Sequence, residues 1–423
     1  MFQPSRRALV AFYAANVCFG AGLFFHGFLY NFYLKALGRP ESVMGLAAAF
    51  LTAGGLVALL PAGAMVDRVG SRNAFYLAVA AASSGLTLGA LVERPWAIYG
   101  AAALAGAGTV TWRVAMGPLL MGIARPDQRT RAFSWNVAFL VGSGALWMAA
   151  AGGVAGWLES AGGFSKLGAT RVALVTGVLG TLLAAPVFAS GLADQGGPPP
   201  GSVRSARRGG RRPFLHVLPL PPRLAWVVLV ICVWMTAPAL VLPFFNLYFL
   251  QEHGLSVERI GLFFGLAHGV TALMILGSGE LAARWNPTGL LMLWSLLFGP
   301  VLWILAGVNG LLAAGTLYVV QGLVSPATNP LIDQIVLEMA PVDRRGLVSS
   351  WRNGATEIGG VVGAGVGGFV LQAFSFDALF MGAGAFGLVA ASALIAVLRP
   401  QSRGGEESSL TTEQHPGAPA QER

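Results

Sequence analysis

The sequence predicts an all-α membrane protein in which twelve transmembrane helices form two pseudo-symmetric six-helix bundles. Three observations carry that prediction. Only 11% of the 423 residues are charged while 55% are hydrophobic, against roughly 25% charged in soluble domains, so water cannot be the solvent for the whole surface. The apolar residues fall into twelve stretches, each near the roughly 20 residues that cross a bilayer as a helix. One constant offset, 216 residues, brings glycine, arginine and tryptophan landmarks of the first half onto those of the second.

In chain order the spans lie near 8–33, 43–66, 74–92, 96–123, 132–158 and 170–192, then near 223–250, 258–281, 288–307, 311–336, 348–374 and 376–398. The first follows Arg6 and Arg7 as a signal peptide would. It is longer than the ~7–15 apolar residues of a signal core and lacks a small-residue cleavage site, so it reads as a span. The spans at 311–336 and 348–374 are less clean, because both contain charges. Pro238 and Pro243 are expected to kink the seventh. Residues 1–192 thus form an N-terminal bundle and 223–399 a C-terminal one. Between them 193–222 carries Gly-Gly-Pro-Pro-Pro and the cluster Arg204, Arg207, Arg208, Arg211 and Arg212 without apolar periodicity, which marks a solvated cytoplasmic linker. The tail at 400–423 is polar and Gly/Ser/Glu-rich, as disordered segments are.

The net charge of +9 could suggest nucleic acid, but the arginines sit in short loops and form no continuous basic face. Membrane orientation accounts for them. Of the 27 Lys and Arg residues, 20 fall on the side that twelve spans assign to both termini and 6 on the other, with Arg113 inside a span. The positive-inside rule then makes both termini cytoplasmic, in the plasma membrane. Cys18 and Cys232 lie inside apolar stretches and read as free packing residues.

Under the 216-residue offset Gly38 falls on Gly254, Gly45 on Gly261, Gly63 on Gly279 and Arg68 on Arg284. Gly106 meets Gly322, Arg129 meets Arg345, and Ser134-Trp135 meets Ser350-Trp351. The register is lost after the fifth span, where the loop around 162–170 is longer than its counterpart. A six-helix unit duplicated in parallel orientation explains this pattern.

The junction between spans two and three reads Gly63-Ala-Met-Val-Asp67-Arg68-Val-Gly70-Ser-Arg72. It resembles the loop signature G-x-L-A-D-R-x-G-R-R of the major facilitator superfamily, in the same place. Gly63 would permit close helix contact, Asp67 would face a helix N-terminus, and Arg68 and Arg72 would meet carboxylates or lipid phosphates. The second half keeps a degraded copy, Gly279 to Arg284, with Ala283 in place of the acid. Segments entering spans five and eleven, Pro126 to Ser134 and Pro341 to Ser350, resemble a family pattern in which Pro ends one helix and Ser or an acid caps the next.

The resemblance covers the chain to about residue 399 and implies a secondary transporter working by alternating access, coupled to a proton or sodium gradient or to none, with no cofactor. It implies a small-molecule substrate, surrounding lipids, and a monomer that does not bind nucleic acid. In the family the loop latches onto the start of span eleven when the protein faces outward; here Ser349, Ser350 and Arg352 are placed to meet Asp67. Spans one, four, seven and ten line the family's cavity, so Arg113, Asn329 and Asp333 become a candidate polar cluster. Asn329 is the offset partner of Arg113, and Asp333 follows it by four residues on the same helical face. Arg113 would bind an anion or pair with Asp333, and Glu357 would pair with Arg352 or Arg113. His26, Asn16 and Asn246 are weaker candidates, and His268 and Glu280 rank below them.

The family's exporter signatures are incomplete. Ala105-Gly106 stands where a Gln-Gly pair is expected, and no Pro follows Gly142, Gly144, Gly152, Gly153 or Gly156. That weakens proton-driven drug antiport and leaves efflux of an amphipathic compound open beside uptake of a metabolite. Phe24, Phe25, Tyr30, Tyr33, Phe244, Phe245 and Tyr248 make the first and seventh spans aromatic, which favours amphipathic cargo. No catalytic motif, P-loop or metal-ligand spacing is present in the sequence. A non-transporting sensor or scaffold that retains the fold is the competing reading.

Overall fold

The computed structural model describes residues 6–192, 221–284, 286–340 and 345–398. The predicted linker up to residue 220, the predicted tail and the Pro341–Arg344 stretch lie outside the described residues, and so do the side chains of the degraded loop copy with Glu280. The helices in order are α1 (Arg6–Ala36), α2 (Glu41–Val69), α3 (Ser71–Leu91), α4 (Pro95–Ile123), α5 (Arg129–Ser160) and α6 (Lys166–Leu192). The second set is α7 (Pro222–Gln251), α8 (Val257–Arg284), α9 (Pro287–Gly307), α10 (Leu311–Met339), α11 (Arg345–Ala373) and α12 (Phe376–Leu398). Eleven of these are long and apolar enough to cross a membrane. The twelfth, α4, has 29 residues but is diluted in hydropathy by glycines, threonines and Arg113.

Local chemistry sets the ends of these helices. Pro95, Pro222 and Pro287 open α4, α7 and α9 at a position where no intrahelical N–H is needed. The Asn286 side chain accepts from Thr288 N at 3.0 Å and caps α9. A single residue, Gly70, joins α2 to α3 at φ 84°, a conformation that L side chains disfavour. The capping expected of Ser134 is not found. Residues Pro126–Gln128 form a 3-10 turn, α5 starts at Arg129 without a side-chain cap, and Ser134 lies inside the helix.

The seventh span is broken. A 3-10 turn over Leu242–Phe244 separates Pro222–Val241 from Phe245–Gln251, because Pro243 cannot donate into the ladder. Rings pack around the break, with Phe245 4.9 Å from Tyr318 and 5.6 Å from Phe380, and Tyr248 5.1 Å from Phe380. Such pairs add about 0.5–1.5 kcal/mol each beyond burial.

The packing repeats as the sequence does. Within the first half α1 packs on α5 and α6, α2 and α3 on α4, and α3 on α6. Adding six to each number reproduces the second half: α7 on α11 and α12, α8 and α9 on α10, and α9 on α12. The halves meet along two seams, α2 with α11 and α5 with α8, which the same operation interchanges.

At residue level the seams obey the 216-residue offset. A Cβ on Gly45 would lie 2.8 Å from the Gly368 Cα, and one on Gly261 would lie 2.8 Å from the Gly152 Cα. The Glu41 carbonyl closes on Gly368 as the Val257 carbonyl closes on Gly152. Further along, Ala49 faces Gly365 as Gly265 faces Ala149. Gly38 and Gly254 share a positive φ, 69° and 61°, in the loops before α2 and α8. The duplicated register therefore runs through α5 and α11, beyond the landmarks of the sequence comparison. These close approaches lie at the end of the bundle away from the termini. Toward the terminal end, Gly63 and Gly354 have no described neighbour within 4 Å of a Cβ. Among the described residues, the halves close on each other at the first end and show no such glycine approach toward the second.

Candidate functional site

Among the described residues, one ion pair bridges the halves below the seal. Arg113 Nη2 of α4 donates to Glu357 Oε1 of α11 at 2.7 Å. Arg113 lies ten residues before the end of α4 and Glu357 twelve after the start of α11, roughly 15 and 18 Å from the terminal ends at 1.5 Å per residue. The arginine side chain is 58% exposed and the glutamate 18%. A charge this deep in a span needs a partner or water, and Arg113 has Glu357 as its partner.

The expected cluster of Arg113, Asn329 and Asp333 is assembled differently. Asn329 and Asp333 share a face of α10, and the cation that fills it is Arg352 of α11. Arg352 Nη2 donates to Asn329 Oδ1 at 2.9 Å, and its Nε lies 2.9 Å from Asp333 Oδ1 as an ion pair rather than an aligned hydrogen bond. Arg352 also reaches the Asn329 carbonyl and the Asn353 side chain. The reason is packing: α10 lies against α11 of its own half, whereas Arg113 reaches across to a later turn of α11. Arg113 does not meet Asp333.

Asn16 is fully buried inside the first bundle. Its Nδ2 donates to Asn136 Oδ1 at 2.7 Å, and Trp112 Nε1 donates to its Oδ1 at 3.2 Å. It ties α1 to α4 and α5 within one half. His26 stacks on Tyr30 at 3.9 Å and faces Gly89 of α3, again within one half.

Asn246 sits just after the α7 break and belongs to a clasp at the sealed end. Its Nδ2 donates to the Phe28 carbonyl of α1 at 2.8 Å. Asn31 Nδ2 donates in turn to the Pro243 carbonyl and, at 3.1 Å, to Asn246 Oδ1. Leu247 N also donates to that oxygen at 2.9 Å. The broken turn thus offers its polar groups to the other half instead of to itself. Asn31 was absent from the sequence candidates, because a lone Asn near a helix end carries no pattern.

In the loop, Asp67, Arg68, Gly70 and Arg72 are exposed, Gly63 is half-buried, and none of the three charges has an ion-pair partner among the described residues. Arg352 is turned to Asp333 and not to Asp67. The close helix contact expected of Gly63 is not made among the described residues. Of the aromatic residues on the first and seventh spans, Phe25, Tyr30, Tyr33, Phe244, Phe245 and Tyr248 are buried packing residues. Phe24 is half-buried, and it meets His268 of α8 across the halves at 5.9 Å between centroids. Cys18 and Cys232 are free thiols. Among the described residues no group of three or more His, Cys, Asp or Glu could hold a metal.

Known proteins share this architecture. The nucleoside transporter NupG superposes with a TM-score of 0.71 at 13% identity, covering 93% of this chain and 99% of that one. A bacterial homologue of the human lysosomal transporter Spinster, in an inward-facing and occupied conformation, gives 0.69 at 14% identity over 92% and 94%. The D-xylose-proton symporter gives 0.70 at 12% over 95% and 100%. At such identities the likeness is one of fold. No curated protein matches in sequence. The profile of the Major Facilitator Superfamily matches residues 12–318 and 290–421. This chain belongs to the major facilitator superfamily and is an integral membrane protein of transporter type rather than an enzyme.

Proposed function

We propose that the protein is a secondary transporter that carries a small solute by alternating access between its two bundles. The observation that carries this reading is the pair of equivalent seams, which among the described residues close on each other at the end away from the termini, with the Arg113–Glu357 bridge between the halves below the seal. Packed interfaces of this kind are bistable rather than continuously deformable, so a second state would close the terminal end and free the Asn31–Asn246 clasp. In that state Asp67, Arg68 and Arg72 would latch onto the start of α11. With both termini cytoplasmic in the plasma membrane, the state described is open to the cytoplasm.

Arg113 and Glu357 form the proposed coupling site. Cargo or a proton that satisfies one member removes its need for the other, and so loosens a link between the halves. A proton gradient fits this pair; the D-xylose-proton symporter of the same fold uses a proton by its name. Each chain contains both bundles and both seams, which suits action as a monomer among lipids.

Two pairs of spin labels test the reading. One pair replaces Arg94 and Arg259 at the sealed end, the other Arg125 and Glu338 at the terminal end, all exposed residues on opposite halves. Alternating access expects the first distance to lengthen as the second shortens when a proton gradient or a bound solute is applied. A single unchanging distance at both ends under every condition would remove the proposal.

A further inference from the structure

A transporter built on a pseudo-symmetric frame has to bind a cargo that lacks that symmetry. Positions that repeat under the 216-residue offset serve the mechanics of both seams alike. Recognition must then come from positions between the halves where the repeat is broken, and two such places lie nearer the middle of their helices than the Asn31–Asn246 clasp does.

The first is on the α5–α8 seam. Thr52 of α2 lies against Gly360 of α11, and its offset equivalent on α8, lying against Gly144 of α5, is His268. Both side chains bond the carbonyl four residues back, Thr52 to Ala48 at 3.1 Å and His268 Nδ1 to Phe264 at 3.2 Å. The histidine therefore occupies the same position while presenting a ring whose Nε2 has no described partner. The offset likewise puts Phe24 of α1 where α7 has Leu240. The two rings meet edge to face across the halves, at 81° between planes. Bare Gly144 makes room for both, since a Cβ there would stand 2.7 Å from Phe24 Cε1 and 3.2 Å from His268 Cδ2.

The second break is the ion pair. Arg113 and Glu357 have Asn329 and Val141 as their offset equivalents, so the bridge has no counterpart across the pseudo-symmetry. α4 packs on α2, and α2 forms the other seam with α11, so the ion pair lies on the side opposite the rings. The two breaks lie within about one helical turn of the same depth. His268–Gly144 and Thr52–Gly360 are equivalent in depth, and Glu357 precedes Gly360 by three residues, about one helical turn.

We infer, on the reading that the protein transports, that its cargo is an amphipathic anion: a carboxylate or similar oxyanion on a planar aromatic body. The oxyanion binds the exposed guanidinium of Arg113, whose planar fork suits bidentate oxygens, and takes the place of Glu357. The aromatic body lies against Phe24 and His268, where ring edges and faces are complementary. A neutral polyol would leave the Arg113–Glu357 bridge closed.

The test is a thermal-shift titration of the full chain in lipid nanodiscs with benzoate, 2-naphthoate, their amides and cyclohexanecarboxylate, since a ligand of the native state raises its melting temperature. At least one aromatic acid should bind about ten-fold more tightly than its amide, from a hydrogen bond to a charged group. It should bind about three-fold more tightly than the alicyclic acid, from the ring contacts. Arg113→Gln should erase the preference for acid over amide, and Arg113→Lys should weaken it without erasing it. Phe24→Leu with His268→Thr installs the offset-equivalent residues, and should abolish the aromatic preference while keeping the acid preference. No shift from any acid, equal shifts from acid and amide, or an acid shift unaltered by Arg113→Gln would each overturn the inference. The two spin-label pairs are read on the same preparation. Motion at both ends without acid binding removes the cargo class alone, whereas immobile ends remove the transport reading beneath it.

Discussion

The Asn246 clasp permits a quantitative test of what holds the sealed end. In Asn246→Leu the side chain keeps roughly its volume but loses every polar contact. Two of those contacts join the halves: Asn246 Nδ2 to the Phe28 carbonyl at 2.8 Å, and Asn31 Nδ2 to Asn246 Oδ1 at 3.1 Å. Asn31 retains the Pro243 carbonyl. The bond from Leu247 N lies within α7 and does not join the halves, so its loss should lower overall stability without favouring one state. At about 0.5–1.5 kcal/mol net per hydrogen bond, the sealed state loses about 1–3 kcal/mol relative to the open one. That is about a 5- to 150-fold change in the odds of opening. Spin labels replacing Arg94 and Arg259, with Cys18 and Cys232 removed, would read this as a growing long-distance population in double electron–electron resonance. An unchanged distance distribution in a protein that still melts cooperatively would refute the idea that the clasp holds the seal.

Three further outcomes follow from the same geometry. Gly45→Val and Gly261→Val each force a Cβ against a backbone Cα at 2.8 Å; each should disfavour the sealed state by about 1–3 kcal/mol, and the two shifts should have the same sign on the same label pair. Asn16→Leu strands Trp112 Nε1 and Asn136 in a fully buried site, costing about 1–3 kcal/mol of stability; the melting temperature should fall while the label distances stay unchanged. Arg113 is mostly exposed, so losing its bridge should cost stability no more than about 1 kcal/mol; a double-mutant cycle with Arg113→Glu and Glu357→Arg should show partial recovery in the charge-swapped protein, and additivity would argue against the pairing.

Much of the fold was readable because a bilayer accepts few solutions. Backbone groups in lipid must be satisfied within each segment, so the lengths of the apolar runs set the helices, and Pro243 marked the break in α7. The offset was readable because close helix crossings admit only small residues, and these occur in both halves. Contacts between helices were less accessible. That Asn329 and Asp333 share a face follows from helical spacing. Which cation fills that face depends on α10 lying against α11, and no spacing within one helix encodes it. His268 ranked low because span position alone says nothing of what stands opposite; its significance came from Phe24 and Gly144 on two other helices.

By itself the sequence determined the membrane setting, the helix order, the duplicated register and the family, since each depends on composition or on residues near one another in the chain. Only the tertiary structure decided which end is sealed, that Asn31 and Asn246 clasp it, and that Arg113 meets Glu357 while Arg352 takes Asp333. Those outcomes depend on which helices lie side by side and at what height. Side chains on different helices meet over distances of about 3 Å, while the chain separating Arg113 from Glu357 is 244 residues long. Over such separations a partner is chosen by packing and not by spacing in the chain.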